Sequence, residues 1–154
     1  MKTYRNLYPQ VYNFENLYLA YRKTRRGKRD RPEVILFENN LEFELIQLQD
    51  QLQTQTWQPG SYRHFMLYER KPRRISAAPF RDRVVHHALC RVLEPIWERR
   101  FIHDSYACRH AKGTHAALDR CTYSLRRYRY CVQCDIMLNL AAIDVEILLA
   151  ARRV

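Results

Sequence analysis

The stretch Tyr62-Arg63-His64-Phe65-Met66-Leu67-Tyr68 alternates its side chains in the manner of a β-strand, and its neighbours define the fold. Arg70-Lys71-Pro72-Arg73-Arg74 follows as a basic hairpin turn, and a second strand is predicted from Ile75 to Ala78. A helix then begins near Asp82. Its apolar stripe comprises Val85, Ala88, Leu89, Val92, Leu93, Ile96 and Trp97, with a kink expected at Pro95. The stretch predicts a hairpin leading into a core helix.

Further helices are predicted on both sides of the hairpin. Asn13 caps the first, which the basic turn 24–29 ends. Its apolar face holds Phe14, Leu17, Tyr18 and Tyr21. The second runs from near Asn40 to just before Trp57, with leucines at 41, 45, 48 and 52. Thr114 caps the third, which extends to about Tyr128. Its inward residues are Ala117, Leu118, Cys121 and Leu125, with arginines outward. The predicted fold class is α+β, helix-rich with a small antiparallel sheet.

Charge is distributed unevenly along the chain, whose formal net charge is +11. Residues 1–31 carry nine Lys and Arg against two acids, and residues 61–130 carry sixteen against six. Residues 32–60 carry five acids and no base, which predicts two basic surfaces separated by an acidic helical patch. A polyphosphate fits the basic surfaces, and eleven tyrosines suit base stacking. The alternative is a charge excess that serves solubility alone.

The five cysteines are an odd number with no signal peptide before them, which favours a reducing, cytoplasmic setting. Cys131 and Cys134 have metal-site spacing. On a predicted strand, however, side chains three positions apart face opposite ways, so no zinc site is expected. No apolar run reaches the length of a bilayer, so a soluble protein is expected. The 154 residues suffice for one core, in a single domain or part of a larger one.

Asp135 follows the apolar run Tyr130-Cys131-Val132-Gln133-Cys134, which is predicted to be a strand. Desolvating an isolated carboxylate is costly, so a carboxylate at such a position indicates a metal ion or a charged partner. Mg²⁺ combines a few carboxylates with phosphate oxygens, and the carbonyl of Ile136 could complete its shell. A turn-capping aspartate is the alternative. Asp144 is interpreted as the cap of a last helix.

Two basic segments are candidate phosphate contacts. Lys71, Arg73 and Arg74 on the hairpin could clamp a nucleoside triphosphate, although a basic hairpin can also be a solvated edge. The loop from His110 to His115 contains Lys112-Gly113 and is interpreted as a cradle for backbone phosphate.

Several motifs occur together in this chain. In order they are Glu15-Asn16-Leu17, Ala20 to Thr24, Gly27-Lys28-Arg29, Lys71-Pro72-Arg73, Ile75 to Leu89, Leu93-Glu94-Pro95-Ile96, Ser105 to Arg109 and Lys112-Gly113-Thr114-His115. Together they resemble the start and the fingers of a reverse transcriptase of the group II intron and retron type. The last two are most similar to the enzymes of diversity-generating retroelements.

The resemblance implies a right-hand polymerase fold, with fingers over residues 1–128 and the start of the palm over 129–154. The implied activity is that of an RNA-directed DNA polymerase using deoxynucleoside triphosphates, an RNA template and a DNA or RNA primer. Asp135 corresponds to the catalytic aspartate that holds Mg²⁺, and Ile136 to the carbonyl ligand. A small basic accessory protein is a further implied partner. A non-catalytic RNA-binding or assembly module with the same fold is the alternative.

The resemblance also assigns substrate contacts. Arg73, with Lys71 nearby, corresponds to the contact with the incoming nucleotide, and Leu140 occupies the position of the aromatic gate against ribonucleotides. Residues expected at the nucleic acid are Arg25, Arg26, Lys28, Arg29, Arg109, Lys112, Gly113 and His115. The stretch 139–145 departs from the family pattern, and the Tyr-x-Asp-Asp motif is absent from the sequence. The chain alone is therefore expected to bind RNA without polymerising.

Overall fold

The computed structural model describes residues 3–69 and 71–134, and the chain divides into two compact units, Met1–Ile102 and His103–Val154. In order, the elements are α1 (Leu7–Val11), α2 (Phe14–Thr24), α3 (Pro32–Asn39), α4 (Leu41–Gln53), β1 (Arg63–Tyr68), β2 (Pro72–Ala77), α5 (Phe80–Glu98) and α6 (Thr114–Arg127). The first unit contains α1 to α5 and both strands. The described part is α+β, helix-rich with a small antiparallel sheet, as predicted.

The core of the first unit is built around α2 and α5, which pack against each other. Asn13 caps α2 as predicted, since its Oδ1 accepts a hydrogen bond from the Glu15 N–H at 2.9 Å. The buried face of α2 holds Leu17, Ala20, Tyr21 and Thr24. The prediction that Phe14 and Tyr18 belong to this face is wrong, because both remain 40% exposed. Tyr18 lies about 100° around the helix from Leu17.

The helix α5 begins at Phe80, two residues before the predicted start. Its buried residues are Phe80, Asp82, Val84, Val85 and Ala88, all in the first half of the helix. Leu89 and Trp97 are exposed, whereas Val92 is half-buried against the core, so the predicted stripe holds only in part.

Sequence patterns predicted α4 but missed α3. The residues Val34-Ile35-Leu36-Phe37 are continuously apolar, so they show no helical period, and only Val34 and Phe37 are buried. Pro32 stands at the first position of α3, where its missing N–H costs nothing. The short α1 was also missed.

The two strands pair antiparallel, from Arg63 opposite Ala77 to Tyr68 opposite Pro72. The hairpin was predicted, but β2 starts at Pro72 and not at Ile75. Arg73 and Arg74 therefore belong to a strand, which corrects their assignment to the turn. Proline is tolerated at Pro72 because the first residue of a strand need not donate a ladder hydrogen bond.

Gly60 fixes the entry of the hairpin onto the start of α5. Its N–H donates to Asp82 Oδ2 at 2.7 Å, and Asp82 is almost fully buried. A Cβ at Gly60 would lie 2.9 Å from Pro79 Cγ, so only glycine fits without a shift of the neighbouring backbone.

The second unit contains α6, which starts at Thr114 with Gly113 as its N-cap residue, so the predicted cap by Thr114 is wrong. None of its residues is buried, and Leu118 and Leu125 are more than half exposed. The predicted inward face is therefore wrong for this helix. Residues 129–134 form neither helix nor strand, whereas a strand was predicted there.

The predictions for Asp135 and Asp144 fall outside the described residues. In the part of the chain that is described, no helix combines the length and apolar character needed to cross a bilayer.

Candidate nucleic-acid interface

The register of the hairpin sorts its side chains onto two faces. Residues directly opposite each other share a face, so one face carries Arg63, Phe65, Leu67, Arg73, Ile75 and Ala77. The other carries His64, Met66, Tyr68, Pro72, Arg74 and Ser76. A hydrogen bond of 2.8 Å between His64 Nδ1 and Ser76 Oγ agrees with this arrangement. Each face therefore presents one arginine of β2 together with apolar side chains.

Arg73 and Arg74 consequently point to opposite faces of the strand. They cannot close on one phosphate from the same side, so a clamp at the hairpin would involve one of them together with Lys71 in the turn. Both faces of the hairpin lie open, and Tyr68 is 79% exposed. Within the described part, neither Lys71 nor either arginine forms a salt bridge, so all three charges are available to a ligand.

The acidic segment 32–60 does not form the separate patch that was predicted. Three of its carboxylates pair with arginines from the basic segments, namely Glu33 with Arg83, Glu38 with Arg25 and Glu44 with Arg81. The pairs tie α3 and α4 to the other helices of the first unit. Arginines near the core are neutralised in this way, while Lys71, Arg73 and Arg74 have no acidic partner among the described residues.

Arg25 differs from the other cations of its loop because it is held by partners within the first unit. Its Nη1 donates to Glu38 Oε1 at 2.9 Å and to the Tyr21 hydroxyl at 2.9 Å. Burial, aided by the hydrogen bond to Glu38, raises the pKa of Tyr21 to about 12. The hydrogen bonds from Tyr21 and Arg25 hold the pKa of Glu38 below its ordinary value. Arg25 thus belongs to an internal polar cluster.

The neighbours Arg26, Lys28 and Arg29 form no salt bridge within the described part of the chain. On α5, burial lowers the pKa of His87, and the charges of Lys23 and Lys28 lower it further. His86 is exposed and His87 is half-buried.

A cavity of about 250 Å³ joins the end of this basic loop to the base of the hairpin. Arg31, Arg63 and Arg83 line it together with Glu33. Sequence reasoning missed this group because its members lie far apart in the chain and meet only through tertiary packing. A basic residue at each position was the only available signal.

In the second unit, the predicted phosphate loop is organised around Asp104. Arg120 Nε and Nη2 donate to its two oxygens, each at 3.0 Å, and Tyr106 OH donates to it at 3.1 Å. The hydrogen bonds from Arg120, then His103, lower the pKa of Asp104 to about 2.

The predicted phosphate ligands of this loop already have local partners. Lys112 Nζ donates to the His103 carbonyl and lies 5.0 Å from the centre of the Tyr106 ring. Arg109 Nη1 donates to the Ser105 carbonyl at 3.3 Å. Gly113 and His115 lie at the start of α6, and His115 is exposed.

The predicted catalytic centre falls outside the described residues, as do Asp135, Ile136 and Leu140. Among residues 3–69 and 71–134, no cluster of His, Cys, Asp or Glu could hold a metal ion. Cys131 and Cys134 are exposed free thiols. The Mg²⁺ prediction concerns Asp135 and Ile136, which lie outside those residues.

No protein-family model matches the chain, and no curated protein matches it.

Proposed function

We propose that this chain is the fingers and early palm of a retroelement reverse transcriptase, an RNA-directed DNA polymerase, and that alone it binds RNA without polymerising. The observation that supports this most is the contrast between paired and unpaired cations. Arginines near the core are matched by Glu33, Glu38 and Glu44. Lys71, Arg73 and Arg74 project from an exposed hairpin and have no acidic partner within residues 3–69 and 71–134. Such an arrangement suits a polyanionic ligand.

The hairpin also offers stacking surfaces next to its charges. Phe65 and Leu67 share a face with Arg73, and Met66 and Tyr68 share the other with Arg74. Unstacked bases bind to aromatic side chains while phosphates bind to guanidinium groups, so single-stranded RNA fits better than a duplex. Template RNA and the incoming deoxynucleoside triphosphate are the proposed ligands of this element.

In the complete enzyme, Asp135 and the Ile136 carbonyl would hold the Mg²⁺ that supports attack of the primer 3′ hydroxyl on the nucleotide α-phosphate. Further carboxylates are required for a two-metal site, and the sequence contains no Tyr-x-Asp-Asp motif. The chain itself is therefore proposed to lack polymerase activity.

A non-catalytic RNA-binding or assembly module of the same fold is the second candidate. It is favoured by the stretch 139–145, in which Leu140 stands where the family has an aromatic residue. A small basic accessory protein is its proposed partner, and the exposed apolar side chains of α4 offer such a protein a packing surface. Phe43 and Ile46 are both more than half exposed there, beside Glu42.

Binding of a fluorescent single-stranded RNA, measured by anisotropy as a function of salt concentration, tests the proposed function. The triple variant Lys71→Gln, Arg73→Gln, Arg74→Gln should flatten the slope of log K against log salt by about 2, because each phosphate-neutralising cation contributes about 0.7 to that slope. A control variant that removes the same amount of charge outside the hairpin should change the slope less than the triple variant does. It combines Arg5→Gln, Arg22→Gln and Arg99→Gln, which are all exposed.

A slope near zero for the wild-type chain would contradict the proposal. Primer extension with Mg²⁺ tests the other half of the proposal, namely that the chain alone does not polymerise. No extension is expected, and extension that disappears in Asp135→Ala would show that the chain polymerises after all.

A further inference from the structure

The cavity at the base of the hairpin collects three arginines from separate parts of the first unit. Arg31 precedes α3, Arg63 opens β1, and Arg83 lies in the first turns of α5. Their convergence is costly unless negative charge is close by, because like charges repel. One carboxylate, Glu33, lies in the same cavity.

Glu33 is already occupied by one of the three arginines. Its Oε1 accepts a hydrogen bond from Arg83 Nη2, and Arg83 also lies 5.6 Å over the Phe80 ring. Within the described residues, Arg31 and Arg63 form no salt bridge. The cavity therefore retains the positive charges of both.

The buried Nε of Arg83 has no hydrogen-bond acceptor in the described part of the chain. An unsatisfied buried donor is unfavourable in proteins generally, so an acceptor reaching this side chain would be stabilising. The remaining wall includes Ser61, whose hydroxyl can donate to an anion, and Ala77, Ala78 and Pro79, whose side chains offer no donor or acceptor. The cavity can thus attract an anion through the charges of its arginines.

We propose that this cavity binds one phosphodiester group of an RNA strand, with Arg31 and Arg63 as its direct contacts. Glu33 holds Arg83 in place at the back of the cavity. This inference rests on the proposed function and adds to it a site separate from the tip of the hairpin. Binding there fixes the position of the strand without sequence preference, since phosphate contacts carry no base information.

A nucleoside triphosphate also carries phosphate groups that could bind here, but the cavity suits a triphosphate less well than a phosphodiester. A triphosphate binds with Mg²⁺, whose coordination calls for carboxylates, and the single carboxylate here is engaged by Arg83. The volume of about 250 Å³ accommodates one phosphodiester together with several waters.

The test compares Arg31→Gln and Arg63→Gln with the exposed control Arg22→Gln in the full chain. Each cavity variant should weaken RNA binding by about tenfold at low salt and flatten the salt slope by about 0.7. The control should change neither the RNA affinity nor the salt slope by a comparable amount. Glu33→Gln should tighten RNA binding, because it removes the negative charge from the cavity. Circular dichroism confirms that each variant is folded.

Arg63→Lys separates charge from geometry. It should keep the salt slope but lose part of the affinity, since a lysine lacks the fork that matches two phosphate oxygens. This variant keeps the test informative if Arg63→Gln fails to fold.

The same variants are also titrated with a fluorescent deoxynucleoside triphosphate and Mg²⁺. If nucleotide affinity falls while RNA affinity does not, the cavity is a triphosphate site and the phosphodiester assignment is overturned. If the wild-type chain binds RNA but the cavity variants match Arg22→Gln, the inference fails and the proposed function stands. A wild-type chain that binds no RNA overturns both.

Discussion

Replacing Tyr21 by phenylalanine should measure how much the internal polar cluster stabilises the first unit. Tyr21 is 2% exposed, and its ring packs against Phe37 and Phe80. Its hydroxyl donates to Glu38 Oε1 at 2.6 Å and accepts from Arg25 Nη1 at 2.9 Å. Phenylalanine keeps the ring, so the change isolates the hydroxyl.

The magnitude follows from the partners that remain. Glu38 and Arg25 still pair with each other at 2.9 Å, and their side chains are 29% and 27% exposed, so water can reach them. Hydrogen bonds to charged groups are worth about 1.5–3 kcal/mol, and partial exposure favours the lower end. We expect Tyr21→Phe to reduce the free energy of unfolding by about 1.5 kcal/mol.

Urea unfolding followed by circular dichroism provides the measurement. With a urea m-value of about 1.5 kcal/mol/M for a unit of this size, the midpoint should fall by about 1 M while m stays unchanged. The control is Tyr18→Phe, since Tyr18 lies on the same helix, is 40% exposed and should change the midpoint little.

The loss of stability caused by Tyr21→Phe should also depend on pH. Burial and Glu38 raise the pKa of Tyr21 from 10.0 to about 12, so the contribution of its hydroxyl is present below pH 10 and declines as pH rises through 12. Glu38 has a pKa lowered from 4.5, so its contribution is lost as pH falls through that lowered value. The difference between Tyr21→Phe and wild type should shrink at both extremes. A loss below about 0.5 kcal/mol at pH 7 would refute this account of the cluster.

Two further substitutions test the elements that carry the candidate sites. Gly60→Ala places a Cβ 2.9 Å from Pro79 Cγ and should cost about 1–3 kcal/mol in urea unfolding, so unchanged stability would contradict the tight approach described. Asp104→Asn should loosen the loop bound to Arg120, seen as faster tryptic cleavage of α6 at pH 7. Because the pKa of Asp104 is lowered from 3.8 to about 2, the helical signal of the wild type should persist at pH 4 and fall towards pH 2. Equal rates of tryptic cleavage for the wild type and Asp104→Asn would exclude a stabilising role for Asp104.

The hairpin and three core helices could be predicted from sequence because their signals are local. The alternation of side chains predicts β1, a capping asparagine predicts the start of α2, and regularly spaced leucines predict α4. The extent of each buried face could not be predicted, since it depends on which neighbours cover it. Leu89 and Leu125 have the spacing of core residues and are nevertheless exposed.

The candidate site was predictable only in part, for a similar reason. Net charge indicated that Lys71 and Arg73 lie on a basic surface, but not which arginines would be neutralised. The pairing of Arg25 with Glu38 and the meeting of Arg31 with Arg63 are products of tertiary packing. The number of charged residues in each segment does not predict the pairing or the meeting of these side chains.

The two-stranded sheet of the described part has no inner strand, so β1 and β2 each leave one row of backbone N–H and C=O groups without a ladder partner. Such an edge can template the addition of a strand from another molecule. Pro72, Arg73 and Arg74 are residue types that discourage this, through a missing donor and mutual repulsion. Neutralising the hairpin for a binding experiment therefore also removes the charge repulsion that opposes self-association, although Pro72 remains. Light scattering has to accompany every titration of such variants.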